Sequence, residues 1–305
     1  LKTHTYYSFK YGTMHPKELL ELAAKSEVTA MALTDVNATS GCMPFIRKAP
    51  EYGIKPVIGI DFRNGAEPLF VGIAKNVDGF RELNAYLSLH LHTDKRMALP
   101  PPLFQHSYII FPFSRYSGAP LRDNEFIGVS VNDLSKFKFS PYRSLHNKAV
   151  ILQTVSFRHK RDFNAHRLMR AIGNNTLLSK LPKSEEGQPT DVMYTVKELK
   201  SYFQEFPEII KNTEKLLEEC EVCFDFTEPV EPKNQKTYTG NSANDLQLVR
   251  QKCEEGILYR YGKSSPQIIE RLENELAIIT EKGFLSYFLI NWDIVNYARK
   301  MEYPY

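Results

Sequence analysis

Three stretches decide the fold: Thr3-His4-Thr5-Tyr6-Tyr7-Ser8, Ala32-Leu33-Thr34-Asp35 and Gly53-Ile54-Lys55-Pro56-Val57-Ile58-Gly59-Ile60-Asp61-Phe62. Each ends a short strand-like run on a polar residue, the pattern of a strand that delivers a side chain to the point where it meets a loop. Working outward, Leu19, Leu20, Leu22 and Ala23 form an apolar helical face behind Pro16, which suits a first helical position. Residues 29–34 read as a strand, and 43–52 as a helix kept short by Pro44 and Pro50. Residues 55–62 and 69–74 read as strands separated by the turn signal Asn64-Gly65. Phe80, Leu83, Leu87 and Leu91 have helical spacing, and 108–113, 126–129 and 149–153 are further strands. Pro100-Pro101-Pro102 and 183–190 read as exposed loops. Strands alternating with helices imply an α/β fold with a mainly parallel sheet or barrel, whose rim would carry His4, Asp35 and Asp61.

From about residue 195 the pattern turns helical, first through Leu199, Tyr202, Phe203 and Phe206, then through Ile209, Ile210, Leu216 and Leu217. Residues 224–236 are rich in proline and charge and read as a connector; helices are expected over 246–261, 266–280 and 284–300, with Arg271 and Glu275 spaced as an i,i+4 pair. This divides the chain into domains 1–225 and 226–305. A length of 305 residues suits one large domain or two ordinary ones, and no terminating signal marks Tyr305, so a longer parent is expected. With 42% hydrophobic and 25% charged residues the composition is globular, and no apolar run approaches the roughly 20 residues of a membrane span. The four cysteines, Cys42, Cys220, Cys223 and Cys253, are too few for a disulfide scaffold of this size, so a reducing cytoplasmic setting is expected. A net charge of +3 excludes a strongly basic nucleic-acid tail.

In order and spacing the three opening stretches resemble the polymerase-and-histidinol-phosphatase (PHP) domain. Further on, Glu254-Glu255-Gly256-Ile257-Leu258-Tyr259-Arg260-Tyr261, Arg271-Leu272-Glu273-Asn274-Glu275-Leu276 and Lys282-Gly283-Phe284-Leu285-Ser286-Tyr287-Phe288-Leu289-Ile290 are similar to the segment joining PHP to palm in the bacterial DNA polymerase III α family. The resemblance covers nearly the whole chain. It implies a distorted (β/α)7 PHP barrel followed by a mainly helical segment that begins the polymerase palm. It implies a parent that carries out template-directed DNA synthesis with Mg2+, acting on primer-template DNA and dNTP alongside other replicase subunits, with no membrane. Residues 1–305 contain neither the glycine- and serine-rich palm motif nor the paired palm aspartates, so this stretch alone is expected to be inactive in nucleotidyl transfer.

The same resemblance implies a PHP site from which most metal ligands have gone. A PHP phosphoesterase gathers histidines and carboxylates around two or three metal ions that activate water and clamp phosphate oxygens. Of the aligned ligand positions, His4 and Asp61 survive, with Asp35 beside them. The other positions hold Lys2, Tyr11, Val36, Leu69, Thr154 and Ser156. Val36 and Leu69 have no donor atom, and a charged Lys2 repels a cation; it could instead pair with Asp61 or Asp35. No intact metal site is therefore expected, and the domain reads as a scaffold or docking module, including for a separate proofreading exonuclease. The alternative is a living metal-dependent PHP phosphoesterase or 3′-5′ exonuclease.

Other spacings that suggest metal sites have plainer explanations. His90 and His92 sit two apart in a helical pattern and do not share a face, and Cys220-x-x-Cys223 has no second pair. Asp162 and His166 read as a cap and a packed side chain. The cluster Arg158-His159-Lys160-Arg161, with Arg167 and Arg170, reads as a solvated basic face, the alternative being a contact for nucleic acid or another subunit.

Overall fold

The computed structural model describes residues 1–305 except 94, 225, 227–235 and 305. The chain divides into two compact units, Leu1–Phe226 and Thr227–Tyr305. Most of the connector expected over 224–236 lies outside the described residues.

In the first unit, β1 (Lys2–Thr3) leads through a turn into α1 (Pro16–Lys25). The helix starts where the sequence says it must: Pro16 needs no N–H partner, the His15 ring accepts from Lys17 N–H, and the Glu18 carboxylate accepts from His15 N–H. Its buried face is Leu19, Leu20 and Ala23. β2 (Ala30–Leu33) and α2 (Cys42–Lys48) follow. The single helix expected over 43–52 ends early, and Ala49–Tyr52 continues as one 3-10 turn, because Pro50 has no N–H for an α-helical bond.

β3 (Lys55–Asn64) and β4 (Glu67–Ala74) form an antiparallel hairpin, with Gly65 supplying the positive φ of 63°. Next come α3 (Val77–Thr93), β5 (Ser107–Pro112), β6 (Glu125–Val129), α4 (Leu134–Lys138), β7 (Ala149–Ile151) and β8 (Thr154–Val155). α5 (Lys160–Gly173), α6 (Val196–Tyr202) and α7 (Pro207–Glu219) complete the unit's helices. β2 to β7 lie side by side in one sheet, and β1 pairs with β8 in a second. Thr34 N–H donates to Thr3 O at 3.0 Å and ties β1 to the end of β2. The result is a curled, distorted α/β barrel; the β3–β4 and β4–β5 steps are antiparallel and the other strand pairs parallel.

The core is built from strands buried along nearly their whole length and from the helix faces packed on them. Phe45, Phe62, Phe70, Leu33 and Ile58 are fully buried, each worth about 1.5–3 kcal/mol of transfer from water. Phe62 and Phe70 stack across the β3–β4 hairpin at 4.7 Å. Under β7, α7 buries Ile209, Thr213 and Leu216. Thr213 Oγ1 accepts the Ile151 N–H at 2.8 Å and donates to Ile209 O at 2.7 Å.

The second unit holds α8 (Ser242–Tyr261), α9 (Pro266–Glu281) and α10 (Leu285–Lys300). They pack around Val249, Leu276, Leu285 and Leu289. Arg271 Nε meets Glu275 at 2.9 Å, the i,i+4 pair that the sequence implies. No helix among the described residues is long and apolar enough to cross a membrane.

Candidate functional site

β1 stops at Thr3, and the reason is Asp35. Its carboxylate accepts Thr5 N–H at 2.6 Å, Thr5 Oγ1 at 2.8 Å and Ser8 Oγ at 2.7 Å, which folds residues 5–8 into a loop. Burial pushes the Asp35 carboxyl up to about 6 against those hydrogen bonds. Asp35 is thus a loop organiser whose side chain is taken up by its neighbours, while its backbone carbonyl accepts Asp61 N–H at 3.2 Å.

Three side chains meet on one oxygen of a fourth, Asp61. Asp61 Oδ2 receives Arg63 Nη2 at 2.6 Å, Arg63 Nε at 2.8 Å, His4 Nε2 at 3.1 Å and Lys2 Nζ at 3.2 Å. All four residues are buried. Burial alone would raise the Asp61 carboxyl, but the Arg63 guanidinium and Lys2 ammonium outweigh it and hold the group well below the usual carboxylate range. Burial lowers His4 to about 4 despite Asp61, so the ring is neutral near pH 7. A neutral His4 facing an ionised Asp61 carries its proton on Nε2, and Nδ1 then accepts the Ser156 hydroxyl at 2.8 Å. Burial lowers Lys2 against the pull of Asp61, and Arg63 is raised because Asp61 outweighs its desolvation.

The remaining positions surround this knot unevenly. Lys2, Tyr11, Val36 and Thr154 line a cleft of about 680 Å³, together with Arg63, Arg170 and Asp191. The Tyr11 ring lies 4.5 Å from the Arg63 guanidinium. Leu69 is instead part of the hydrophobic core. Arg63 and Asp191 were missing from the sequence reading. Arg63 was within reach of it: two residues on from Asp61 in one strand, it projects to the same face. Asp191 had no such signal. It arrives on a loop whose neighbour Val192 bridges Phe157, and burial pushes its carboxyl up to about 6 against Lys2 and Arg63.

The segment 183–190 is more than an exposed loop. Glu186 accepts Arg167 at 2.8 Å, Glu185 pairs with Arg170, and Gly187 N–H donates to His166 Nε2 at 2.9 Å. His166 Nδ1 meets Tyr11 O at 2.7 Å and must be its protonated nitrogen, since a carbonyl only accepts. Asp162 binds Arg158 at 2.8 Å and the Arg158 N–H at 3.1 Å.

Could the cleft hold the metals that PHP chemistry needs? Among the described residues, no group of three or more His, Cys, Asp or Glu side chains is placed to hold an ion. Asp61 Oδ2 already faces a guanidinium and an ammonium, and one ring nitrogen of His4 is turned to Ser156. The donor set does not fit a polynuclear site. His90, His92, Cys220 and Cys223 lie on or after α3 and α7, and both cysteines are free thiols.

Comparison with known proteins fits this geometry into a family. Residues 1–109 match the family described as PHP domain, and residues 247–305 the family described as bacterial DNA polymerase III alpha NTPase domain. Over nearly its whole length the chain is similar to DNA polymerase III α subunits. The DNA polymerase III subunit alpha of Halalkalibacterium halodurans is 26% identical over 98% of the chain and 29% of its own length. The error-prone DNA polymerase of Symbiobacterium thermophilum is 27% identical over 98% of the chain and 32% of its own length. The DNA polymerase III subunit alpha of Bacillus subtilis is 24% identical over 98% of the chain and 30% of its own length. The chain therefore spans less than a third of the length of these relatives, and it aligns with their N-terminal region.

Proposed function

We propose that residues 1–225 are a metal-free PHP scaffold of a replicative DNA polymerase III α subunit, and that 226–305 supply a connector and the first palm helices. The parent protein would add dNTP to a primer on template DNA in the cytoplasm, with Mg2+ held by palm carboxylates and with other replicase subunits docked nearby. The observation that carries the scaffold role is the attachment of Lys2 and Arg63 to Asp61. A cation covalently fixed to the protein occupies the charge balance that a metal would otherwise supply. The cleft then braces the barrel instead of activating water.

A living phosphoesterase or 3′-5′ exonuclease is the competing reading, and the donor set weighs against it. The test uses the purified 305-residue chain with Mn2+, Zn2+ or Mg2+. We expect no hydrolysis of p-nitrophenyl phosphate or of labelled DNA 3′ ends, and no primer extension. Metal-dependent hydrolysis lost on Asp61→Asn would overturn the scaffold reading. Primer extension by this stretch would overturn the domain reading.

A further inference from the structure

α5 presents an apolar strip that the fold does not use. Its buried residues are Asp162, His166 and Ala171. On the opposite side, Arg161, Ala165, Leu168 and Ile172 follow at i, i+4, i+7 and i+11, and all are exposed. Leu168 is 52% and Ile172 64% exposed. After the helix, Thr176 N–H returns to Ala171 O at 2.9 Å, and the chain presents Leu177, 65% exposed, beside Leu178. Scattered surface leucines are ordinary, but this strip is continuous along one helix and the turn that follows it.

The charges around the strip are unbalanced. The acids near it are already taken: Asp162 by Arg158, Glu185 by Arg170, and Glu186 by Arg167 and Lys183. Lys160, Arg161 and Lys180 have no ion-pair partner among the described residues. Neither has Lys10, whose stem lies against Gly173 at the C-terminal end of α5. The strip is therefore rimmed by uncompensated positive charge at both ends. A phosphate backbone would not select leucine and isoleucine along its contact line. An amphipathic acidic segment would match both features.

We propose that the Leu168–Ile172 face of α5 docks an acidic amphipathic peptide segment of a separate protein. Apolar side chains of the segment would cover Leu168, Ile172 and Leu177, and its carboxylates would meet Lys160, Arg161 and Lys180. The proposal rests on the scaffold reading and gives that scaffold a docking face.

The experiment titrates the 305-residue chain against a fluorescein-labelled helical peptide built from leucine at i,i+3/i+4 spacing and glutamate elsewhere, read by anisotropy. Saturable binding is expected, weakened by salt and weakened at least about tenfold both in Leu168→Ser/Ile172→Ser and in Lys160→Glu/Arg161→Glu. All these sites are exposed, so the variants should keep the wild-type circular dichroism. The same peptide with lysine for glutamate should not bind. Equal binding of the lysine peptide, or unchanged binding to both variants, would overturn the proposal. So would a dimer in sedimentation that Leu168→Ser/Ile172→Ser dissolves, or equal capture by anionic phosphatidylserine vesicles. Those failures would leave the phosphoesterase and metal measurements untouched, so they are distinguishable from failure of the scaffold reading.

Discussion

Lys2 Nζ stands 3.2 Å from Asp61 Oδ2, on the same carboxylate oxygen that Arg63 grips at 2.6 Å. The pair explains why a cleft built on a PHP frame is stable with few metal-binding donors. It also ranks mutations. Asp61→Asn leaves a buried ammonium and a buried guanidinium without their counter-charge, and should cost about 3–5 kcal/mol in urea unfolding. Lys2→Met keeps the Arg63 and His4 contacts to Asp61 and should cost less than about 1.5 kcal/mol. The reverse order would show that the knot is not what holds the cleft.

His166 ties two loops together, donating from Nδ1 to Tyr11 O and accepting at Nε2 from Gly187 N–H. His166→Phe removes both bonds. Hydrogen exchange at the Gly187 amide should then accelerate at least about tenfold, while amides in β3 and β4 keep their protection. Unchanged exchange at Gly187 would mean that the ion pairs of Glu185 and Glu186 hold the segment alone.

The same histidine sets a pH signature. Burial lowers His166 from 6.5 to about 4, so the unfolded chain takes up a proton that the folded one refuses. Its contribution to stability is fully present above about 6.5 and is lost as pH falls towards 4. The stability gap between wild type and His166→Gln should therefore widen as pH rises from about 4 to about 6.5. Asp191 works with the opposite sign: raised from 3.8 to about 6, it favours the folded state at low pH and loses that effect as pH rises through 6. Asp191→Asn should gain on wild type over that interval. Denaturant midpoints across the range check both signs.

Gly12 is fixed by a close approach. A Cβ there would lie 1.7 Å from Thr5 O, a backbone atom that cannot swing away. Gly12→Ala should destabilise by at least about 3 kcal/mol, since the loop that Asp35 organises would have to open. Gly53→Ala, at a glycine with nothing within 4 Å but a φ of 66°, should cost less, about 1 kcal/mol.

The sequence carried the fold further than the site. The β-rich apolar runs at β3 and β4, the Asn64-Gly65 turn and the proline at the start of α1 are local signals, and each produced the element expected. The early end of the helix before Pro50 was equally local. The site depends on which side chains a curled sheet brings together. His4 and Asp61 meet although they are 57 residues apart, because β1 lies beside β2 and β2 beside β3. Asp35 follows the end of β2 and Leu69 lies near the start of β4, yet the Asp35 side chain binds the 5–8 loop while Leu69 packs into the core. Nothing in the pattern marked Asp191, which reaches the cleft through an irregular segment.

On this reading, fixed cations rather than a metal cluster balance Asp61. The most direct test is elemental analysis of the 305-residue chain after exposure to Mn2+ and Zn2+ and desalting, paired with the same measurement on Asp61→Asn. Well under one ion per chain is expected in both proteins. Two or more tightly bound ions per wild-type chain, reduced by Asp61→Asn, would contradict that reading.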